Sequence, residues 1–310
     1  MTNYLVFDVG GSTVKYAVIN SKGDFLLKGS LPSVLDDFQR FSEEIMSLIA
    51  IHKVQHEVAG IAFSTPGGVD SDSGIIGGAS SLPCIHGPNF KEVFGELSGL
   101  PVEIENDANC AALGEVWKGA AQYNQNVLFT VIGSGIGGAV IKDRRVHKGV
   151  NLHGGEVGYM VMDITKQKDK VAFRTWSEMA ATVSLVNRVA AIKQVHAADL
   201  KGEDIFDDAE KGDPVCRDAI DDFYLSLAQG IYNLQYVYDP EKIILGGAIS
   251  VRTDLIEQIN RKIDLIVDAV GIAKIRPVIE TCHFKNDANL LGALYHFLQC
   301  QQEQAVKRIS

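Results

Sequence analysis

The stretch "FDVGGSTVKYAVI", Phe7–Ile19, places two adjacent glycines between two apolar runs near the start of the chain. Runs rich in Val, Phe, Tyr and Ile predict two strands, and the glycines between them predict a tight turn. Three interpretations of the turn are open: a plain hairpin, a dinucleotide loop, or a cradle of backbone N–H groups that holds phosphate. Glycine lets an anion approach the backbone closely, and Ser12 and Thr13 add hydroxyl donors.

A second glycine turn, "VIGSGIGGAVI" at residues 131–141, bears on this choice. It contains G-x-G-x-x-G, but the dinucleotide fingerprint requires a helix directly after it, and "AVIKDRRV" predicts a strand. The first turn is also followed by a strand pattern, and neither turn ends in the G-K-[ST] of a P-loop. One glycine turn alone favours a plain hairpin. Two similar turns, one in each half of the chain, favour a pair of phosphate cradles.

The order of the predicted elements also repeats. Residues 3–29 and 126–149 share an apolar run, glycines, a small hydroxyl residue, a second apolar run, a charged turn and a short strand. Helical spacing follows in the segments 36–52, 107–117, 175–193, 213–238 and 254–269. Buried-type strands are predicted at 58–67, 101–106 and 242–247. Two copies of one unit predict two related α/β lobes with a cleft between them.

The composition narrows the class of partner. The chain has 310 residues, of which 46% are hydrophobic, and its 29 basic and 39 acidic residues give a net charge of −10. This charge argues against nucleic acid and anionic membranes as partners, but not against a nucleotide held by backbone N–H groups. No signal peptide and no apolar run of roughly 18 residues is visible. Five scattered cysteines without C-x-x-C spacing fit a reducing compartment, so we expect a cytoplasmic protein.

Together these motifs resemble a known family. The two turns are similar to the phosphate loops of actin/hexokinase-like sugar kinases. The segments "STPGGVD", "IENDANCAALGE", "KGVNLHGGEVGYM" and "IILGGAIS" narrow the resemblance to the ROK family of kinases and repressors, and within it to bacterial β-glucoside kinases. The resemblance implies an α/β, two-lobed, ribonuclease H-like fold with an interlobe cleft. Its small lobe would comprise residues 1–117, completed by a C-terminal helix at 289–310, and its larger lobe residues 118–288.

The resemblance implies an ATP- and Mg²⁺-dependent kinase for the 6-hydroxyl of a β-glucoside such as cellobiose. N-acetylmannosamine kinase and glucokinase are the alternatives within the family, and a non-catalytic, sugar-responsive regulator is the alternative of another class. Repressors of the family carry an N-terminal DNA-binding segment. Here the first phosphate loop begins within ten residues of Met1, so we expect a kinase. A homodimer is also implied.

Phosphoryl transfer needs a base for the acceptor hydroxyl, a metal on the phosphates, and donors around the transferred group. The resemblance assigns the base to Asp107, between a short strand and a helix; a helix cap is the other interpretation. The acceptor sugar would be bound by residues from four segments: Asn106, Glu156, Glu178, Gly67, Gly68 and Tyr159. Solvated or turn positions are the alternatives for these residues.

The ATP site would be built from both glycine turns and a third Gly-Gly pair: Asp8, Gly10, Gly11, Ser12, Thr13, Lys15, Gly133, Ser134, Gly135, Gly137, Gly246 and Gly247. Asp8 would position Mg²⁺ through water, since Mg²⁺ keeps several of its waters in protein sites. A strand-end carboxylate bonded to its own turn is the alternative for Asp8.

The sequence departs from the family at one position. Many members have G-E-x-G-H followed by a cysteine-rich zinc site, but here Tyr159 takes the place of the His. No cysteine lies between Cys110 and Cys216. We therefore expect no structural zinc, and the sugar specificity is left open. The residues His86, His147 and His153 lack i, i+4 pairing and are interpreted as surface or pocket-edge side chains.

The tetrapeptide "NDAN" occurs twice, at 106–109 and 286–289. The first copy follows a strand, where α/β proteins place active-site groups, so Asp107 is the expected base. The second copy opens the final helix pattern. Asp287 is expected to cap that helix, and the helix is expected to pack on the N-terminal lobe.

Overall fold

The structure, a computed structural model, describes residues 1–80, 82–167 and 170–309. The chain forms two compact units. Unit 1 comprises Met1–Tyr123, Arg144–Gly154 and His283–Ser310, and unit 2 comprises Asn124–Asp143 and Gly155–Cys282. The lobe boundaries expected from the sequence remain a prediction. Within the described ranges, no helix is both long enough and apolar enough to cross a membrane.

The strands, numbered along the chain, are β1 Asn3–Val9, β2 Thr13–Asn20, β3 Phe25–Pro32, β4 Val58–Thr65, β5 Gly68–Asp70, β6 Ile75–Gly77, β7 Val102–Asn106, β8 Val127–Ile132, β9 Ile136–Lys142, β10 Arg145–Val146, β11 Val161–Gln167, β12 Lys170–Thr175, β13 Lys242–Gly246 and β14 Ile279–Thr281. The α-helices are α1 Phe38–His56, α2 Phe90–Ser98, α3 Asp107–Lys118, α4 Trp176–Ala180, α5 Thr182–Lys193, α6 Gly202–Glu210, α7 Pro214–Tyr238, α8 Leu255–Val270 and α9 Ala288–Ile309.

Unit 1 is built on a sheet with the strand order β3-β2-β1-β4-β7. Strand β1 is antiparallel to β2 and parallel to β4, which is parallel to β7. One apolar cluster contains Phe63 of β4 with Phe41 of α1 and Phe94 of α2. A second cluster joins Ala62 of the same strand to α3 and α9. Both faces of the sheet are therefore covered, as expected for parallel strands.

Helices α3 and α9 cross at very short distance. A Cβ atom added to Gly292 of α9 would lie 1.6 Å from the carbonyl oxygen of Cys110 in α3. Such contacts require glycine, because neither helix backbone can withdraw without opening the cluster that contains Leu291 and Leu294.

We expect Gly292→Ala to lower the free energy of unfolding by about 3 kcal/mol or more, through overpacking at this crossing. Chemical denaturation measures the change. Gly202→Ala is the matched control, because Gly202 begins α6 and a Cβ there meets no atom within 4 Å. The control is expected to change the free energy by less than about 1 kcal/mol. Equal effects of the two substitutions would contradict the close crossing.

Unit 2 repeats the sheet of unit 1. Its strands follow the order β9-β8-β13-β14. Strand β8 is antiparallel to β9 and parallel to β13, which is parallel to β14. The repeat noticed between the two glycine turns therefore extends to the order and direction of the strands. Trp176 is fully buried in the core of this unit and donates a hydrogen bond from Nε1 to the carbonyl of Ser226 in α7, at 2.9 Å.

One local prediction in unit 2 needs correction, and one element was missed. The helix predicted at Thr175–Lys193 is two helices, because Ala181 between them is extended, with φ −74° and ψ 154°. This break lets Thr182 bind the carbonyl of Gly133 with both its N–H and its hydroxyl, at 2.9 and 2.7 Å. The β11–β12 hairpin was not predicted at all.

Candidate active site

Three adjacent parallel strands of unit 1 carry the predicted acceptor and metal residues. In the register, Asp8 of β1 lies beside Ser64 of β4, and Thr65 of β4 lies beside Asn106 of β7. Asp107 follows Asn106 as the first residue of α3. The carboxyl ends of parallel strands share one edge of a sheet, which is where open α/β folds place ligands. The fold thus brings Asp8, Gly67 and Asp107 to one edge, as the sequence interpretation requires.

Asp8 is held in a fixed orientation. The residue is only 9% exposed, and its Oδ1 accepts hydrogen bonds from the Ser64 hydroxyl and the Asn289 side-chain amide, both at 3.0 Å. Lys15 Nζ lies 3.7 Å from Oδ2. The sequence did not predict that Ser64 and Asn289 bind Asp8. The repeated "NDAN" was the available signal, since its second copy supplies Asn289.

The turn after Asp8 is held by one hydrogen bond within the turn and one from Ser33. Gly10 N donates to Thr13 O at 3.1 Å, and the Ser33 hydroxyl donates to Gly10 O at 2.6 Å. Within the described residues, the N–H groups of Gly11 and Ser12 make no hydrogen bond. Backbone donors left open in a rigid turn are what a phosphate cradle requires.

Asn106, rather than Asp107, caps helix α3. Its Oδ1 accepts from Asn109 N at 3.1 Å, while its Nδ2 donates to Gly67 O at 3.0 Å. Asp107 is partly exposed, and its Oδ1 accepts from Ala108 N at 2.8 Å. The helix cap proposed as the alternative role of Asp107 is therefore supplied by Asn106. The predicted role of Asp107 as a base remains a prediction consistent with this position.

The second "NDAN" differs from its predicted geometry. Residues Lys285–Asp287 form a short 3₁₀ turn before α9. The carboxylate of Asp287 accepts a hydrogen bond from Lys28 Nζ at 2.7 Å. An exposed ion pair thus takes the place of the expected helix cap, and Asn289 is the member of this motif that contacts Asp8.

In unit 2, hydrogen bonds with α4 and with the start of α5 hold the second glycine turn in place. Thr182 binds the carbonyl of Gly133, and the Ser177 hydroxyl accepts a hydrogen bond from Ile136 N at 2.9 Å. Ser134 is exposed, and the N–H groups of Ser134 and Gly135 make no hydrogen bond within the described chain. The turn therefore has the same open donors as its counterpart in unit 1.

Gly246 is the last residue of β13, and Gly247 follows it beside this turn. Gly247 has φ +90°, and a Cβ there would lie 2.2 Å from the carbonyl oxygen of Ile132. Next to the pair lies a cavity of about 550 Å³, lined among others by Thr182, Phe206, Ala248 and Arg252. The Arg252 guanidinium stacks 3.9 Å above the Phe206 ring. The volume of this cavity suits a small-molecule ligand. The residues that line the cavity were not predicted from the sequence.

The remaining predicted acceptor residues also lie in unit 2. Glu156 is exposed and precedes a 3₁₀ turn that ends at Tyr159, which is 73% exposed. Glu178 is exposed and belongs to a capping box, in which its Oε2 accepts from Thr175 N at 2.7 Å and from the Thr175 hydroxyl at 2.9 Å. These hydrogen bonds lower the pKa of Glu178. One carboxylate oxygen of Glu178 is thus occupied locally, and its sugar contact remains a prediction.

Among the described residues, two groups bring three metal-type donors close together: Glu103, His296 and Cys300 in unit 1, and Asp208, Asp213 and Cys216 in unit 2. In each group a lysine already pairs with a carboxylate. Lys91 Nζ lies 2.6 Å from Glu103, and Lys193 Nζ lies 2.7 Å from Asp213. For Mg²⁺, the buried, hydrogen-bonded carboxylate of Asp8 beside an open phosphate-type turn is the better fit, through water.

Comparison with known proteins finds relatives over nearly the whole chain. The model of the ROK family matches residues 4–300. A β-glucoside kinase of Listeria innocua is 34% identical over 297 residues, covering 94% of this chain and 96% of its own. A glucokinase of Halalkalibacterium halodurans is 28% identical over 328 residues, covering 98% and 97%. The crystal structure of a ROK family protein from Streptococcus pneumoniae in complex with sucrose has a TM-score of 0.87 and 35% identity, covering 97% of this chain and all of that one.

The chain therefore belongs to the ROK family. The predicted fold class, the α/β actin/hexokinase-like fold, is confirmed by the sheets of both units and by the similarity to the solved ROK structure.

Proposed function

We propose that this ROK family member transfers the γ-phosphate of ATP to the 6-hydroxyl of a β-glucoside such as cellobiose. The chain is an ATP-dependent sugar kinase, a class supported by its family and by the curated kinases it resembles over nearly its whole length. The β-glucoside acceptor, its 6-hydroxyl and the use of Mg²⁺ are the proposed parts. The homodimer and the absence of structural zinc also stay proposals.

One observation carries the proposal: Asp107 stands at the first position of α3, at the sheet edge that also holds Asp8. In this role Asp107 accepts the proton of the acceptor hydroxyl as that oxygen attacks the γ-phosphorus. A new P–O bond to the sugar forms, the bond from phosphorus to the β,γ-bridging oxygen breaks, and ADP leaves. Asn106 and the carbonyl of Gly67 are linked by a hydrogen bond, so they offer the sugar one rigid surface.

The nucleotide is assigned to the glycine turns and to the cavity of unit 2. The open N–H groups of Gly11, Ser12, Ser134 and Gly135 supply donors for phosphate oxygens. The cavity beside Gly246–Gly247 would hold the adenosine. Mg²⁺ near Asp8 would supply charge neutralisation of the phosphates during transfer.

Three observations favour a two-ring acceptor over glucose. Identity is 34% to the β-glucoside kinase and 28% to the glucokinase, over similar lengths. The solved relative at 35% identity binds a disaccharide, sucrose. In addition, the exposed Tyr159 presents an aromatic ring where many ROK kinases have an imidazole, and such rings pack well on sugar faces.

A coupled assay of ADP release tests the proposal. Cellobiose, a second β-glucoside, glucose, N-acetylmannosamine and a no-sugar blank are compared at equal concentration. We expect the highest kcat/KM with the β-glucosides. A preference for glucose or N-acetylmannosamine would overturn the proposed acceptor. Sugar binding by calorimetry without ADP release from any sugar would favour the non-catalytic regulator instead.

A further inference from the structure

A buried ion pair adjoins Asn106, one of the predicted acceptor-site residues. Glu105, the residue before Asn106, is fully buried, and Lys148 Nζ lies 2.7 Å from its Oε2. The other oxygen of Glu105 accepts hydrogen bonds from Asn106 N at 2.8 Å and Asn109 Nδ2 at 3.1 Å. Glu105 therefore fixes the start of α3, where Asp107 stands, while Lys148 neutralises Glu105.

Lys148 also reaches a second segment of the acceptor site. Its ammonium donates to the hydroxyl of Ser71, which follows β5, the strand that begins at Gly68. Its own backbone closes the loop 148–154, since Gly154 N donates to Lys148 O at 2.7 Å. The chain then continues to Glu156. Lys148 thus links two segments with predicted acceptor-site residues, Gly67–Gly68 and Asn106–Asp107, to the loop 148–154, which leads to Glu156.

We propose that Lys148 is a positioning residue for the acceptor sugar: through Glu105 and Ser71 it holds the Asn106–Asp107 turn, the Gly67–Gly68 turn and the loop 148–154 in register. The inference rests on the proposed function. Lys148 is assigned no contact with the sugar or with ATP. Its effect is preorganisation, because binding groups on separate segments lose affinity when their mutual placement loosens.

The chain offers a matched control. Glu103 lies two residues earlier on the same strand, is 3% exposed, and pairs with Lys91 Nζ at 2.6 Å. The two lysine side chains are similarly buried, with 20% and 24% exposure. Lys91 lies in α2 beside Gly74 of the β5–β6 turn, but its ion-pair partner is Glu103, and within the described residues it makes no bond to Glu105 or Ser71. A purely structural role of Lys148 would make the two substitutions equivalent.

The experiment compares Lys148→Met with Lys91→Met. Each leaves a buried carboxylate without its cation, so both are expected to lower the melting temperature by roughly 5 to 15 °C. Only Lys148→Met is expected to raise the KM for cellobiose, by about 10-fold or more, with the KM for ATP changed less than about 2-fold. Lys148→Arg should recover most of the sugar affinity, because a guanidinium can still pair with Glu105.

A double variant guards against loss of folding. Lys148→Met with Glu105→Gln leaves no unpaired buried charge, so it is expected to regain stability while keeping the raised KM for sugar. An unchanged sugar KM in the folded Lys148 variants, or an equal rise in Lys91→Met, would overturn the positioning role alone. Failure of the wild-type protein to turn over any sugar would instead overturn the proposed function, and this inference with it.

Discussion

Replacing Asp107 with asparagine is expected to lower kcat by about 100-fold or more, while sugar affinity and stability stay near those of the wild type. Asparagine has almost the same shape and can still accept the hydrogen bond that Ala108 N donates to Oδ1. It cannot accept the proton of the acceptor hydroxyl. Steady-state kinetics, calorimetric sugar binding and the melting temperature together separate lost chemistry from lost binding or folding.

The second "NDAN" provides the control for this substitution. Asp287→Asn removes an exposed ion pair with Lys28, which is worth at most about 1 kcal/mol, and should leave kcat near normal. The assignment of the base would be wrong if the Asp107 variant turned over normally while a folded Asp287 variant were inactive.

Asp8→Asn is the second substitution with a large expected effect, again a fall in kcat of about 100-fold or more. The neutral amide can keep the shape of the side chain among Ser64, Asn289 and Lys15, but it loses the negative charge assigned to the water shell of Mg²⁺. We expect the variant to need a higher Mg²⁺ concentration for half-maximal rate. Kinetics over a Mg²⁺ series at fixed ATP measure both changes.

Asp24→Asn serves as the comparison for Asp8. Its carboxylate accepts a hydrogen bond from Asn20 Nδ2 at 2.9 Å in the turn between β2 and β3, remote from the glycine turns in sequence. Its kcat and Mg²⁺ dependence should match the wild type. A wild-type Mg²⁺ response in the Asp8 variant would remove Asp8 from the metal site.

Much of the fold was predictable because it is encoded locally. The strands on either side of Gly10–Gly11 and Gly133–Gly138 have alternating or continuous apolar runs, and the glycines mark the turns without ambiguity. The repeat of these turns predicted two related halves, and the strand order of the two units bears this out. The break at Ala181 was not predictable in this way. The segment "EMAATVSL" contains no Gly or Pro that would mark a break, and the break coincides with the tertiary bonds of Thr182 to Gly133.

The candidate site shows the same division. Asp107 and Asn106 were found because they follow a strand directly, a relation visible along the chain. Asn289 was missed as a partner of Asp8 because 281 residues separate the two, and the pairing exists only once α9 packs on the sheet. The cavity near Gly247 was missed for a similar reason, since Thr182, Phe206 and Arg252 come from separate segments.

The product formed from ATP and cellobiose shows directly whether the protein phosphorylates the 6-hydroxyl of a β-glucoside. Mass spectrometry would detect the phosphorylated sugar, ¹H–³¹P NMR correlation would locate the phosphate, and ADP would be quantified in the same reaction. We expect one phosphorylated sugar per ADP, with the phosphate on a 6-oxygen, and almost none with Asp107→Asn. ADP accompanied by free phosphate, or a phosphate on another oxygen, would contradict it.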